Sequence, residues 1–460
     1  MHESSSKPSV LLISTYELGR QPFGLASPAA WLRDSGAQVL CLDLSRQPFD
    51  EAAARDASMV AFYLPMHTAT RLAVPVIERV RKLNPKARLC AYGLYAPMNS
   101  DYLRKLGVHA VVGGEFEAQL VDEWRTARSL PPAATAPAIS LDRLQFKTPD
   151  REDLPELERY AHLTLPDGTT RVVGYTEASR GCKHLCRHCP VVPVYGGVFR
   201  IVKPEIVLED IGRQVAAGAQ HITFGDPDFF NGPTHAMEIV RALYRKHPSL
   251  SYDVTIKVEH LLQHSTYLQE LLDTGCAFVT TAVESLDDSV LARLEKGHTR
   301  ADFLRLTDIM NSVGLFLVPT FIPFTPWTTF ATYEDLLRTI AQLGIIEQVP
   351  PVQLTIRLLI PAGSRLLELE EVRRLVGDFD EQALSYPWSN PDSRIDRLQR
   401  ELEALVYREA QKKSSRTATF ALIWEAASKA MEGKIVRPLP VIPPGLSRAT
   451  IPYLTEPWYC

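Results

Sequence analysis

Cys182, Cys186 and Cys189 lie within eight residues of one another, in the stretch RGCKHLCRHCPVVPVYGG at residues 180–197, and are three of the chain's seven cysteines. Three thiolates at this spacing cannot share one face of a helix, but a short loop can turn them towards a common centre. Such a loop offers three soft ligands. It leaves the fourth position of a tetrahedral ion, or one iron of a cubane cluster, without a protein ligand, and an open position is what a catalytic metal requires. A structural zinc site completed by His184 or His188 is the alternative, although structural zinc loops favour two-residue gaps and a second, distant ligand pair.

A rigid frame must present this loop. An apolar run at residues 171–178 leads into it, and comparable runs follow at 221–224, 252–256, 278–282, 316–321 and 352–359, separated by helical patterns. Strands alternating with helices predict a parallel sheet, whose reactive groups gather at the carboxyl ends of the strands. The sequence places polar residues there. Gly225, Asp226 and Asp228 follow the second run, Lys257, Glu259 and His260 the third, and Glu284 and Ser285 the fourth, while Arg357 lies in the sixth. Gly225 would let the backbone approach a ligand closely, and Asp226 or Asp228 would accept a hydrogen bond from an amino group. Lys257 and Arg357 would pair with a carboxylate. Gly297 reads as a helix C-cap, and Phe324 to Thr329, stiffened by Pro326, reads as a wall of the substrate pocket.

Ahead of this core, runs at 10–14, 39–44, 59–63, 88–92 and 110–112 alternate with amphipathic segments at 26–35, 69–83 and 99–106. They predict a Rossmann-like, doubly wound domain over residues 1–128. A Pro/Ala-rich stretch, SLPPAATAPAIS, opens a linker over 129–170. The core is expected over 171–375, a helical extension over 376–435, and a Pro-rich tail over 436–460 that ends on Cys460.

Composition narrows the function classes. With 45% hydrophobic and 23% charged residues, the 460-residue chain reads as an ordinary globular protein of two or three domains, and its net charge of -4 gives no electrostatic case for nucleic acid. The N-terminal MHESSSKPSVLLIST has no signal-peptide pattern, and no run approaches the roughly 20 apolar residues of a membrane span. A cytoplasmic protein is expected. Cys41, Cys90 and Cys276 stand alone in apolar runs and read as small core residues.

The C-x3-C-x2-C spacing resembles the signature of the radical S-adenosylmethionine (radical SAM) superfamily, with His188 where an aromatic residue is usual. The resemblance implies a 4Fe-4S cluster on Cys182, Cys186 and Cys189, with S-adenosylmethionine chelating the open iron. It further implies one-electron cleavage of the sulfonium to a 5'-deoxyadenosyl radical, which takes hydrogen from a small-molecule substrate. A reductase or a flavodoxin-type protein would supply the electron. The six repeats match the partial (βα)6 barrel that the resemblance implies. Gly225, Asp226, Asp228, Glu284, Ser285, Lys257 and Arg357 are the expected cofactor contacts.

The N-terminal spacing, with GLASP at 24–28 and Gly113-Gly114-Glu115, resembles the cobalamin-binding domain that precedes many radical SAM cores. Asp43-Leu44-Ser45 lacks the Asp-x-His-x-x-Gly of domains that ligate cobalt from below, so cobalamin would bind without that ligand, and a degenerate scaffold domain is the alternative. The ending LTEPWYC, with GYTEASRGC, ITFGDPDFFNGP and TTAVESLDD, resembles radical SAM proteins with a Cys-Cys-Ala-Glu-Pro or Cys-selenocysteine-Ala-Glu-Pro tail. That resemblance implies a truncation at Cys460 and a substrate or redox role for its thiol. The alternatives to hydrogen abstraction are methyl transfer, 3-amino-3-carboxypropyl transfer to a soft acceptor such as trivalent arsenic, as in arsinothricin biosynthesis, and a non-catalytic zinc or Fe-S binding module.

Overall fold

The structure, a computed structural model, describes residues 9–129, 138–432, 449 and 451–456. Cys460 and most of the Pro-rich tail lie outside the described residues, as do the implied continuation of the chain and its selenocysteine.

Five short apolar runs become the parallel strands β1 (Val10–Ser14), β2 (Val39–Asp43), β3 (Met59–Tyr63), β4 (Arg88–Tyr92) and β5 (Ala110–Gly114). Their order is β2-β1-β3-β4-β5, which is the flavodoxin-type doubly wound order, and β6 (Ile139–Ser140) adds an edge. Both faces are buried. Phe23–Asp34 and Glu117–Ala127 cover one side, and His67–Leu83 and Ser100–Lys105 cover the other. Burial on both faces explains why these strands read as continuous apolar runs.

The second sheet starts within the stretch expected as linker. In it β7 (His162–Thr164) pairs antiparallel with β8 (Thr170–Thr176) and with β15 (Tyr453–Leu454). From β8 the chain enters the parallel series β11 (His221–Phe224), β12 (Ser251–Thr255), β13 (Cys276–Glu284) and β14 (Leu317–Phe321). A hairpin of β9 (Ser179–Gly181) and β10 (Phe199–Ile201) frames the cysteine loop between β8 and β11. The parallel strands curl into a half-barrel whose outer face is covered by Pro204–Ala216, Pro233–Lys246, Arg300–Val313 and Phe330–Gln342.

The sixth repeat is reduced to one parallel bridge, Phe324 to Arg357. Pro350 and Pro351 lack amide donors, and the run expected to be a strand begins instead as a 3-10 turn at Pro351–Leu354. The helices Ser393–Gln411 and Arg416–Glu432 close that edge, burying Leu398, Leu402, Phe420 and Ile423 in the same apolar core as Leu354 and Leu337. Cys41, Cys90 and Cys276 are buried as expected. Among the described residues, no helix is long and apolar enough to cross a membrane.

Candidate functional site

The cysteine loop is pinned from three directions. Gly181 sits at φ +74°, where a Cβ would lie 2.4 Å from the Tyr195 ring and 2.5 Å from the Val198 carbonyl, so only glycine turns the chain into the loop here. On one side Asn231 Nδ2 donates to the Gly181 carbonyl at 3.3 Å, and its Oδ1 accepts from the Lys183 amide at 3.3 Å. On the other, the Arg187 amide donates to the Leu294 carbonyl at 3.0 Å, and His188 Nε2 stands 3.1 Å from Glu284 Oε1. These contacts hold the loop over the carboxyl ends of β11 and β13.

Cys182 and Cys186 are buried and Cys189 partly so. Burial pushes the Cys182 thiol up to about 11, with Asp228 and Cys186 adding to the rise and Lys257 opposing it. Burial likewise pushes Cys189 up to about 12, with Cys186 and Cys182 adding and Lys296 opposing. Cys182 and Cys189 therefore both feel the charge of Cys186, and two ammonium groups stand by. Thiolates packed together at a buried site need such cations or a metal to be stable as anions. The donor set, three neighbouring soft sulfurs with lysines alongside, fits an anionic iron-sulfur cluster.

Glu284 ends β13 beneath this loop. Its backbone is in the left-handed region, at φ +68°, and the register with β14 slips between Ala282 and Glu284. A non-glycine residue held in this conformation marks stored strain, which gathers at functional sites. Burial alone would raise its carboxyl, but Lys296, 3.4 Å away, and His188 hold it down to about 2. Burial would lower Lys296, yet Glu284, Cys186 and Cys189 together raise it. Glu284 and Ser285 also line a crevice of about 330 Å3 with Thr325 and Thr328 of the loop after β14 and with Arg300, Thr332 and Asp335 of the outer helices.

Other expected contacts are placed differently. The Asp226 carboxylate accepts from the Ser179 hydroxyl at 2.5 Å and the Ala178 amide at 2.9 Å, so it is engaged in tying the start of β9 to the end of β11. Gly225 makes room for Tyr175, whose hydroxyl would lie 1.8 Å from an added Cβ. Arg357 pairs with Asp396 at 2.6 Å and stacks on Trp388 at 3.5 Å, packing the sixth edge rather than facing a ligand. The cap of Asp288–Leu294 is Glu295 in the left-handed region, not Gly297, whose Cβ would strike Glu259. Lys257 is buried, its ammonium 3.6 Å from Glu259 Oε2, and lies beside Cys182. Glu284 was expected as a site residue, but Lys296 and the pairing of Glu284 with His188 were not.

Residues 176–340 match the model of the radical SAM superfamily. This stretch is a radical SAM domain, of the kind that enzymes of that superfamily carry. Enzymes of this kind take a 4Fe-4S cluster and S-adenosylmethionine as cofactors. Among curated relatives, the hopanoid C-3 methylase of Methylococcus capsulatus is 23% identical over 339 residues, 70% of this chain and 64% of its own. The hopanoid C-2 methylase of Rhodopseudomonas palustris is 21% identical over 52% of this chain and 45% of its own. The matched part thus spans about half to just under two thirds of those relatives.

Among solved structures, the cobalamin-dependent radical enzyme OxsB, with aqua-cobalamin and S-adenosylmethionine bound, superposes with a TM-score of 0.68 at 12% identity over 91% of this chain and 72% of its own. The methyltransferase TsrM of Kitasatospora setae, with tryptophan and an S-adenosylmethionine analogue bound, gives 0.56 at 18% identity over 73% of this chain and 71% of its own. Both show the fold of the radical SAM half-barrel.

The carboxyl edge of the N-terminal sheet, where a corrin would rest, is filled by this chain's own groups. The rings of Tyr63, Tyr92 and Phe116 pack with centroids 5.0 to 6.2 Å apart, and the Tyr92 hydroxyl donates to the Gly24 carbonyl at 2.8 Å. Ser27, within the motif that resembles a cobalamin domain, donates to Glu117 at 2.6 Å. Near the C-terminus, Glu456 reaches over β1 and β2 to Tyr16 at 3.1 Å and Arg46 at 3.3 Å. As packed, these residues do not fit a corrin.

Proposed function

We propose that this enzyme cleaves S-adenosylmethionine reductively and takes a hydrogen atom from a C–H bond of a small-molecule substrate, with Cys182, Cys186 and Cys189 as the cluster ligands. The observation that carries the proposal is the group of three cysteines, two buried and one partly so, at the mouth of the half-barrel and flanked by Lys257 and Lys296. When bound, the cluster and S-adenosylmethionine supply one electron and a carbon radical.

The chain's own residues prepare for that chemistry. Lys257 and Lys296 offset the charge of three thiolates in a buried place. His188 and Lys296 fix the Glu284 carboxylate, leaving its remaining lone pairs as acceptors for the amino or ribose hydroxyl groups of S-adenosylmethionine. Ser285, next to it in the chain, offers a hydroxyl to the same ligand. An external donor of the reductase or flavodoxin type supplies the electron. Methyl transfer of the kind named for the hopanoid methylases is not part of this proposal, because the edge that cobalamin would need is filled.

Anaerobic reconstitution tests the reading. The full chain should take up about four irons and, with dithionite and S-adenosylmethionine, release 5'-deoxyadenosine. The Cys186→Ala chain should do neither. Release of 5'-methylthioadenosine instead would replace hydrogen abstraction with 3-amino-3-carboxypropyl transfer, and bound zinc without cleavage would overturn both.

A further inference from the structure

The carboxyl ends of three successive strands of the half-barrel bring a second donor set together. His184 comes from the cysteine loop, Asp228 follows β11, and His260 lies in the helix Val258–Gln263 after β12. One ligand atom from each lies within 4.8 Å of the others. His184 Nε2 stands 3.5 Å from Asp228 Oδ2 and 3.3 Å from His260 Nε2. Ligands about 2.0–2.1 Å from a tetrahedral ion lie roughly 3.4 Å apart, so both separations are those of atoms sharing one cation.

Asp228 Oδ2 also lies 2.6 Å from the other ring nitrogen of His260, Nδ1, with both side chains buried. A carboxylate buried between two imidazoles stays ionised only where positive charge faces it, from a protonated ring or from a bound cation. The surroundings are those of a metal site as well. Asp228 Oδ1 accepts from the Phe230 and Lys257 amides at 3.3 and 3.4 Å, which aims Oδ2 at the imidazoles. Glu259 Oε2 lies 3.7 Å from His184 Nδ1, so a second carboxylate stands behind the ring that Nε2 turns to the site.

We infer that His184, Asp228 and His260 form a second metal site, separate from the three cysteines, that binds one divalent transition ion such as zinc or ferrous iron. Two imidazoles and one carboxylate are the donor set of catalytic zinc and of mononuclear ferrous centres, which keep positions open for water or an oxygen-bearing ligand. Asp228 and His260 are buried, whereas the His184 side chain is 15% exposed, so the open side faces the mouth of the barrel. The ion would hold a hydroxyl or carboxylate oxygen of the substrate beside the cysteine loop. Asp228 then serves that ion rather than the amino group of S-adenosylmethionine.

The test uses the full chain, reconstituted anaerobically with iron and sulfide, then incubated with Zn2+ or, in a parallel arm, Fe2+, and desalted. Elemental analysis should find about four cluster irons plus one further metal ion. In Asp228→Asn, His260→Gln and His184→Gln the cluster irons should remain, while affinity for Zn2+ falls at least tenfold. X-ray absorption at the zinc edge of the wild-type chain should show only nitrogen and oxygen neighbours near 2.0–2.1 Å and no sulfur at about 2.3 Å. A sulfur shell, or zinc lost with Cys186→Ala and kept by Asp228→Asn, overturns the inference. Loss of the irons in the wild-type chain would instead count against the cluster, which keeps the two failures apart.

Discussion

Arg180 Nη1 lies 2.7 Å from Glu117 Oε1, joining the residue two positions before the first cysteine to the helix that follows β5. The same guanidinium meets Glu177 at 2.7 Å and Glu115 at 3.4 Å, and is ringed by Phe23, Phe116 and Phe146 at 4.9 to 5.6 Å. Two sheets are thus locked at the root of the cysteine loop by one buried cation among three carboxylates. Removing it strands those carboxylates in an apolar place. Arg180→Leu should lose about 3–5 kcal/mol of stability in urea unfolding and incorporate less iron. A chain of unchanged midpoint would show the cluster of charges to be incidental.

One cation cannot neutralise three anions, and Glu115 is the carboxyl left over. Burial pushes it up to about 7 from an ordinary 4.5, with Arg180 opposing and Glu117 adding to the rise. Folded, it holds its proton until about pH 7, whereas the unfolded chain releases it near 4.5. Between those values the folded state binds more protons, so stability falls as pH rises. The contribution is complete below the lower value and gone above the upper one. Glu115→Gln should flatten this dependence by something on the order of 2 kcal/mol between pH 5 and 8, read from unfolding midpoints of both chains. Parallel profiles would place the proton elsewhere.

Asp226 works on the scaffold. Asp226→Ala leaves the Ser179 hydroxyl and Ala178 amide without their acceptor. The expected loss is about 1–3 kcal/mol, with reduced iron uptake because β9 leads into the cysteines. Asp226→Asn keeps one acceptor oxygen and should recover part of both. Thermal melts and iron assays together check this.

Glu284→Gln keeps shape and removes charge. If the carboxylate receives S-adenosylmethionine, its affinity should fall about 10- to 100-fold, the worth of a charged hydrogen bond, while the iron content stays at the wild-type value. Equilibrium dialysis on the reconstituted chain separates this from a structural defect, in which iron would be lost as well.

The filled edge of the N-terminal sheet makes a further prediction. Hydroxocobalamin incubated with the full chain should be lost on desalting. One equivalent retained per chain would mean that Tyr63, Tyr92 and Phe116 move aside.

Much of the frame was legible in the sequence because buried parallel strands are continuous apolar runs. Val10–Ser14, Met59–Tyr63, Arg88–Tyr92 and His221–Phe224 stand where the runs lie. The cysteine spacing was equally local. The sixth strand misled because residues 352–359 are apolar enough for a strand, while Pro350 and Pro351 decide the path just before them. Gly225 and Asp226 misled because tertiary neighbours, Tyr175 and Ser179, use them first. The pairs His188–Glu284, 96 positions apart, and His184–His260, 76 apart, leave no local pattern at all. Only the curl of the sheet brings them together.

The most direct test of the whole account is the electron paramagnetic resonance spectrum of the dithionite-reduced, reconstituted chain, recorded with and without S-adenosylmethionine. If Cys182, Cys186 and Cys189 hold a cubane with one free iron, the reduced cluster gives a signal that changes shape when the nucleotide is added, and Cys186→Ala shows neither signal nor change. A spectrum indifferent to S-adenosylmethionine, or a chain that binds zinc and stays silent, contradicts it.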